Sequence, residues 1–213
     1  MTGAALLWAV TLAPAGAQSL IRDADIEQQL NALARPMLTS AGLSASQVKV
    51  LVIQDNALNA FVVDGRNIFV TSGLIRKLTS AEQLQSVLAH EIAHIANGHI
   101  LRRVANARTA GTAAGIGMAL AIAAGLSGAN PEAAAGLAIG SSSAAQRVFL
   151  SHTRAEESSA DQSGIRYMAS AGVDPAAMLQ VLELFRGQEV LSVGRQDPYV
   201  QSHPLWRDRL RAV

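Results

Sequence analysis

Apolar positions along the 213 residues change period in ways that mark successive elements. Ile26, Leu30 and Leu33 recur at helical intervals after Asp23. They predict an amphipathic helix from Asp23 to about Met37, ending near Arg35-Pro36 because the residue before a proline is pushed out of the α region. Val48 to Ile53 is a short apolar run that predicts a strand. Leu58 to Val63 and Asn67 to Thr71 flank Asp64-Gly65, and that dipeptide between β-rich runs predicts a hairpin and a small antiparallel sheet. Thr79-Ser80-Ala81-Glu82 has the form of a capping box and opens a long helix through Leu84, Val87, Leu88, Ile92 and Ile95. Asn97-Gly98 blurs the end of that helix, which the pattern allows to run to about Ala107. Another helix is predicted from about Thr153 to Ser170, stopped by Ala171-Gly172. Asp174-Pro175 then opens one through Met178, Val181, Leu182 and Phe185. The sum is a mainly helical α+β fold in one domain, with no internal repeat and no linker long enough to separate a second domain.

Two tracts carry apolar residues without this punctuation. Met1 to Ala17 has no charge and ends Ala15-Gly16-Ala17, an apolar core followed by a small-x-small site. This is the pattern of a secretory signal peptide cleaved before Gln18, although the basic segment that normally precedes it is missing and the first basic residue is Arg22. The expected division is a signal peptide over 1–17 and a single domain over 18–213. The second tract, residues 109–146, is interrupted by Glu132 alone and contains Gly111-x-x-x-Gly115 and Gly136-x-x-x-Gly140, spacings that let helices approach closely. The favoured reading is an Ala/Gly-rich helical insertion packed beside the active site, touching a membrane or a partner at most peripherally. A membrane-spanning hairpin and a flexible lid or plug are the alternatives; Thr109 to Ser127 is uncharged and just long enough to span, but the seven glycines and Ser141-Ser142-Ser143 weaken that reading.

Composition narrows the function. Half of the residues are hydrophobic, 15% are charged and 4% aromatic, enough for a real core and incompatible with intrinsic disorder. A net charge of +1 argues against a nucleic-acid partner, which needs clustered basic residues. The absence of cysteine excludes disulfide frameworks, thiolate-held zinc, iron–sulfur clusters, thiol catalysis and a lipidated N-terminal cysteine.

The chemistry lies on the long helix, in His90-Glu91-Ile92-Ala93-His94. Histidines four apart project from one helix face, so their ring nitrogens can meet on a single metal ion, and Glu91 is placed to contact a water at that metal. In a chain with five histidines and eight glutamates the motif is a rare coincidence. Zinc, one ion, is the expected cofactor, and a catalytic zinc takes three protein ligands. His99 lies about 140° around an unbroken helix from His94 and is expected to pack or face solvent instead. The metzincin arrangement needs a glycine and a histidine where this chain has Asn97 and Ile100. Downstream, Glu157 and Asp161 are four apart on a predicted helix, so one could ligate the metal while the other hydrogen-bonds a ligand histidine. The residues alone do not separate Glu156 from Glu157, and an acidic, solvated first turn is the plain alternative.

His90-Glu91-x-x-His94 followed by Arg154-x-x-Glu157-x-x-Ala160-Asp161 resembles the zinc metallopeptidase family that includes the CAAX prenyl protease, HtpX and BepA, with the periplasmic BepA-like peptidase domain the nearest branch. Asn59-Ala60-Phe61, Thr71-Ser72-Gly73-Leu74-Ile75 and His203-Pro204 with Arg209 extend the likeness over about residues 25–213. The resemblance implies a gluzincin-type peptidase with a small β-sheet or hairpin beside the zinc helix. It makes Glu157 the third ligand and Asp161 the residue behind a ligand histidine. It places His203 near the zinc, either as a donor to the transition state or as a ligand that blocks the open position, with Arg209 as its companion. Asn59, just before the hairpin, would help an extended peptide pair with a strand edge. The implied function is a periplasmic zinc endopeptidase acting on unfolded or misassembled envelope proteins, with outer-membrane protein assembly machinery as the expected partner. The alternatives are a chaperone-like binding module with a self-blocked zinc site and a membrane-inserted HtpX-like protease. By the same likeness, a C-terminal repeat domain would be the segment missing after Val213.

Overall fold

The structure is a computed structural model, and it describes residues 19–109, 153–204 and 209. The expected signal segment and almost all of the Ala/Gly-rich insertion lie outside the described residues. The chain opens with a two-residue strand, β1 (Leu20–Ile21), and helix α1 (Ala24–Ser40). The strands β2 (Lys49–Ile53), β3 (Ala60–Val62) and β4 (Asn67–Thr71) follow, then α2 (Ser72–Lys77), α3 (Ala81–Ala96) and α4 (His99–Thr109). The remaining helices are α5 (Arg154–Ser170), α6 (Ala176–Leu184) and α7 (Pro198–Ser202), with two 3-10 turns between the last two. Among the described residues no helix is long and apolar enough to cross a membrane.

Helix α1 runs three residues past the expected stop, with Pro36 inside it. An interior proline costs about 3 kcal/mol through its missing N–H and its ring. Here the helix continues because the next turn buries Met37 and Leu38 in the core while Pro36 itself stays exposed. The cap of α3 is Ser80, whose hydroxyl accepts from the Gln83 backbone N–H, while the Gln83 side chain accepts from the Thr79 N–H at 2.8 Å. The expected pairing of Thr79 with Glu82 is thus replaced by a Ser80 cap, with Gln83 reaching back to Thr79. Helix α5 carries a complete capping box between Thr153 and Glu156.

The hairpin forms as predicted: β3 and β4 are antiparallel, with Phe61 opposite Phe69 and their rings stacked 5.5 Å apart. Its connection is held by the Asp64 carboxylate, which accepts from the backbone of Arg66 and Asn67. The sheet as a whole is mixed, not antiparallel. Its order is β1-β2-β4-β3, with β4 inserted between β2 and β3 and running parallel to β2. The near-continuous run Val50-Leu51-Val52-Ile53 reflects this, because a central strand with a parallel neighbour is buried on both faces and loses the alternation of a half-exposed one. One face, through Val50, Val52, Val62, Ile68 and Val70, joins the main core with the helices. The other gathers Leu51, Ile53, Phe61, Val63 and Phe69.

Two local features hold the strands relative to the helices. Thr71 caps α2, accepts from the Asn59 N–H at 3.0 Å and donates to the Ala57 carbonyl at 2.7 Å, tying the segment before β3 to the end of β4. Gly73 lies against that segment, and a Cβ there would sit 2.2 Å from the Asn56 carbonyl oxygen. Substituting Gly73→Ala therefore forces backbone apart, and we expect a loss of about 1–3 kcal/mol of stability, measured as a lower urea midpoint. An unchanged midpoint would contradict the close approach.

Candidate metal centre

Helix α3 packs along α5, and at Gly164 of α5 an added Cβ would already rest against the Ala89 backbone at 3.5 Å and press on the Met178 methyl at 2.8 Å. Ala89, Ala93 and Ala160 are also fully buried. Small side chains between two helices let the larger polar ones on the same faces meet. His90, Glu91 and His94 come from α3, Glu157 and Asp161 from α5, and His203 from the residue capping the end of α7. All six are buried.

Four of these side chains, His90, His94, Glu157 and His203, offer ligand atoms that lie within 4.8 Å of one another. Among the described residues no other group of metal-ligating side chains gathers in this way. His90 Nε2 is 3.0 Å from His94 Nε2 and 3.3 Å from His203 Nδ1. Glu157 Oε1 is 3.4 Å from His94 Nε2 and 3.1 Å from His203 Nδ1. A shell of further contacts surrounds them. His90 Nδ1 lies 3.0 Å from Asp161, which is gripped by Arg209 through two N–H donors at 2.7 and 2.9 Å. Arg209 also reaches Glu157 at 2.6 Å and donates to the backbone carbonyls of His203 and Pro204. His203 Nε2 sits 3.3 Å from both the Ala60 carbonyl of β3 and Glu91.

The charges explain what the pocket favours at its centre. Burial opposes ionisation of Glu157, but Arg209, His203 and His90 outweigh it and hold the carboxyl well below the usual range. Asp161 is likewise held low against its burial by His90 and Arg209. Burial depresses His90 too, yet the neighbouring Glu157 and Asp161 push it up to about 10, so the field at its ring calls for a cation. Burial takes His94 well below its ordinary value, leaving a neutral imidazole suited to a metal. Glu91 is raised, chiefly by burial, and neither of its buried oxygens has a hydrogen-bond partner. Imidazoles and a carboxylate around a field that favours positive charge form a donor set suited to zinc.

The structure thus brings His90, His94, Glu157, Asp161, His203, Arg209 and Glu91 into one cluster. It also separates the two glutamates of α5: Glu156 turns outward to cap the helix and pair with Arg103, while Glu157 points inward. Asn59 lies at the start of β3, next to Ala60, with its side-chain oxygen buried and unpartnered. His99 is the residue whose position the sequence misjudged. The helix breaks at Gly98, which adopts φ +67°, so α4 restarts at His99 and returns its ring to the cluster, 2.8 Å from His94. The Asn97-Gly98 pair was the available signal, since an Asn-Gly at a helix end marks a stop more strongly than a continuation. Tyr199 has no local signal in the sequence; its ring lies 4.7 Å from that of His203.

A His-Glu-x-x-His helix meeting a glutamate-bearing helix beside a small sheet defines a gluzincin-type zinc metallopeptidase domain. The chain belongs to peptidase family M48, which matches residues 21–213. It is 29% identical over 195 residues to the β-barrel assembly-enhancing protease of Escherichia coli (strain K12), covering 92% of this chain and 39% of that protein. It is 30% identical over 186 residues to a protease HtpX homolog of Polynucleobacter necessarius, covering 83% and 60%. Against the mitochondrial metalloendopeptidase OMA1 of Schizosaccharomyces pombe it is 27% identical over 177 residues, covering 83% and 49%. The chain thus spans about two fifths of the length of the assembly-enhancing proteases it matches.

Arg209 neutralises two buried carboxylates at once, so Arg209→Met is expected to lower stability by about 3–5 kcal/mol in chemical denaturation, as breaking a buried ion pair does. Arg209→Lys should recover only a fraction of this, because an ammonium cannot serve Asp161 with two parallel N–H donors.

Proposed function

We propose that the protein is a periplasmic zinc endopeptidase that hydrolyses peptide bonds of unfolded or misassembled envelope proteins, with one zinc ion held by His90, His94 and Glu157. The observation that carries this reading is the convergence of these three side chains beside Glu91, a buried carboxylate without a hydrogen-bond donor on either oxygen. Zinc in that position supplies Lewis acidity, which activates water near neutral pH and polarises a peptide carbonyl. Glu91 takes the proton of the attacking water and passes it to the leaving amine. Its raised proton affinity suits a group that must both accept and release. Asp161 orients His90, and Arg209 keeps Asp161 and Glu157 ionised.

Strand β3 is an edge of the sheet, and an extended peptide beside it would pair through its backbone. The unpartnered Asn59 oxygen offers such a peptide one further acceptor. The similarity to β-barrel assembly-enhancing proteases supports an envelope location and a link to outer-membrane protein assembly, in keeping with the signal-like pattern of residues 1–17. Glu91→Gln should keep zinc at one ion per chain by elemental analysis while cleavage of an unfolded test protein falls by about 10²-fold or more. Unchanged cleavage would sink the peptidase reading.

A second reading, a latent site, is favoured by His203. Its Nδ1 stands among the ligand atoms, where a fourth ligand would take the position a substrate needs. The segment that carries it also covers the start of β3 and the residues before it: Tyr199 N–H donates to the Leu58 carbonyl at 3.2 Å, and His203 Nε2 reaches that of Ala60. On this reading His203→Ala raises the cleavage rate, by removing a resting state that competes with substrate. On the reading of His203 as a transition-state donor, the same substitution lowers it.

A further inference from the structure

The two ligand histidines of α3 are supported differently. His90 turns its outer nitrogen, Nδ1, to the carboxylate of Asp161. His94 turns Nδ1 to another imidazole, with His99 Nδ1 at 2.8 Å and the two rings at 70°. An N···N separation this short holds one hydrogen between the two atoms, because two N–H groups would collide and two lone pairs would repel. His94 Nε2 faces the cluster, 3.0 Å from His90 Nε2 and 3.4 Å from Glu157. A neutral imidazole that offers Nε2 as a lone pair carries its hydrogen on Nδ1. The shared hydrogen therefore belongs to His94, and His99 must accept it with a bare Nδ1.

We propose that His99 is a positioning residue of the metal centre: it accepts the His94 Nδ1–H, fixing that ligand's tautomer and ring plane. The proposal rests on the zinc reading above. The backbone is shaped for this contact. Gly98 makes the left-handed turn that brings His99 back over α3. Asn97 anchors the turn to α5 through Ser159 and Ser163, and Arg102 clamps it by donating to the Asn97 carbonyl at 2.7 Å. His99 itself is 2% exposed, so water cannot replace it as acceptor without rearrangement. The centre thus has one ligand backed by an anion and one backed by a neutral acceptor, which limits the negative charge gathered around the metal. Outer partners of this kind commonly govern metal affinity about 10–100-fold.

The test uses the full chain and zinc alone, with affinity read by competition against a chromophoric chelator at fixed pH. His99→Phe keeps the bulk and removes the acceptor, and is expected to weaken zinc about 10–100-fold. His99→Asn, whose carbonyl can take the place of Nδ1, is expected to stay close to wild type. Equal affinity in all three proteins overturns the proposal but leaves the zinc reading intact, whereas failure of the wild type to bind zinc overturns both. A second measurement needs no variant: long-range nitrogen–proton NMR of the zinc-loaded wild type should show His94 protonated on Nδ1 and His99 on Nε2. A hydrogen on His99 Nδ1 would overturn the proposal.

Discussion

The close approach of α3 and α5 is the constraint on which the rest of the molecule depends. Gly164 against Ala89 brings the backbones near enough for residues on facing turns to touch directly. Two histidines from one helix can then reach two carboxylates from the other, 3.0 to 3.5 Å away. Bulkier residues at the contact would leave the same polar groups buried but out of reach of one another, each bearing a desolvation cost of several kcal/mol. The sheet and α1 pack around this pair.

Such packing gathers more charge than a protein interior tolerates unaided. Glu91, Glu157 and Asp161 are carboxylates in one small volume, all of them buried. Arg209 answers two of them, and it reaches the site from far along the chain, 48 residues beyond Asp161. The same guanidinium holds the His203 and Pro204 carbonyls, so the charge balance of the helices and the placement of the His203 segment share one side chain. A change in either is felt by the other.

Much of this is legible in the sequence, for reasons that differ by feature. The H-E-x-x-H face and the i, i+4 pair on α5 follow from helical geometry, which is local and regular. Glu156 and Glu157 cannot be told apart by periodicity alone, since a capping box claims the first and tertiary packing the second. The mixed sheet is obscured because a hairpin signal fixes how two strands pair, not where the pair inserts relative to β2. Helix α1 overruns Pro36 because burial of Met37 and Leu38 outweighs a local penalty. His99 is misplaced by a single assumption, that α3 continues through Gly98; angles counted along a helix lose meaning once the axis turns. His203 and Arg209 can be tied to the site only by family likeness, as nothing local in a loop histidine or a late arginine reveals what it will touch.

The α7 segment's hold on the chain entering β3 carries a consequence for traffic at the site. The Leu58 and Ala60 carbonyls are taken by groups of the same chain, Tyr199 N–H and His203 Nε2. An occupant tethered this way competes as an intramolecular ligand, for which effective concentrations reach the order of millimolar with short flexible linkers. On the proposed peptidase reading, a visiting chain that pairs with only these two carbonyls would be outcompeted. The contest would then turn on how many points along its length a visitor engages at once, which would reward long, unfolded chains over short or compact ones.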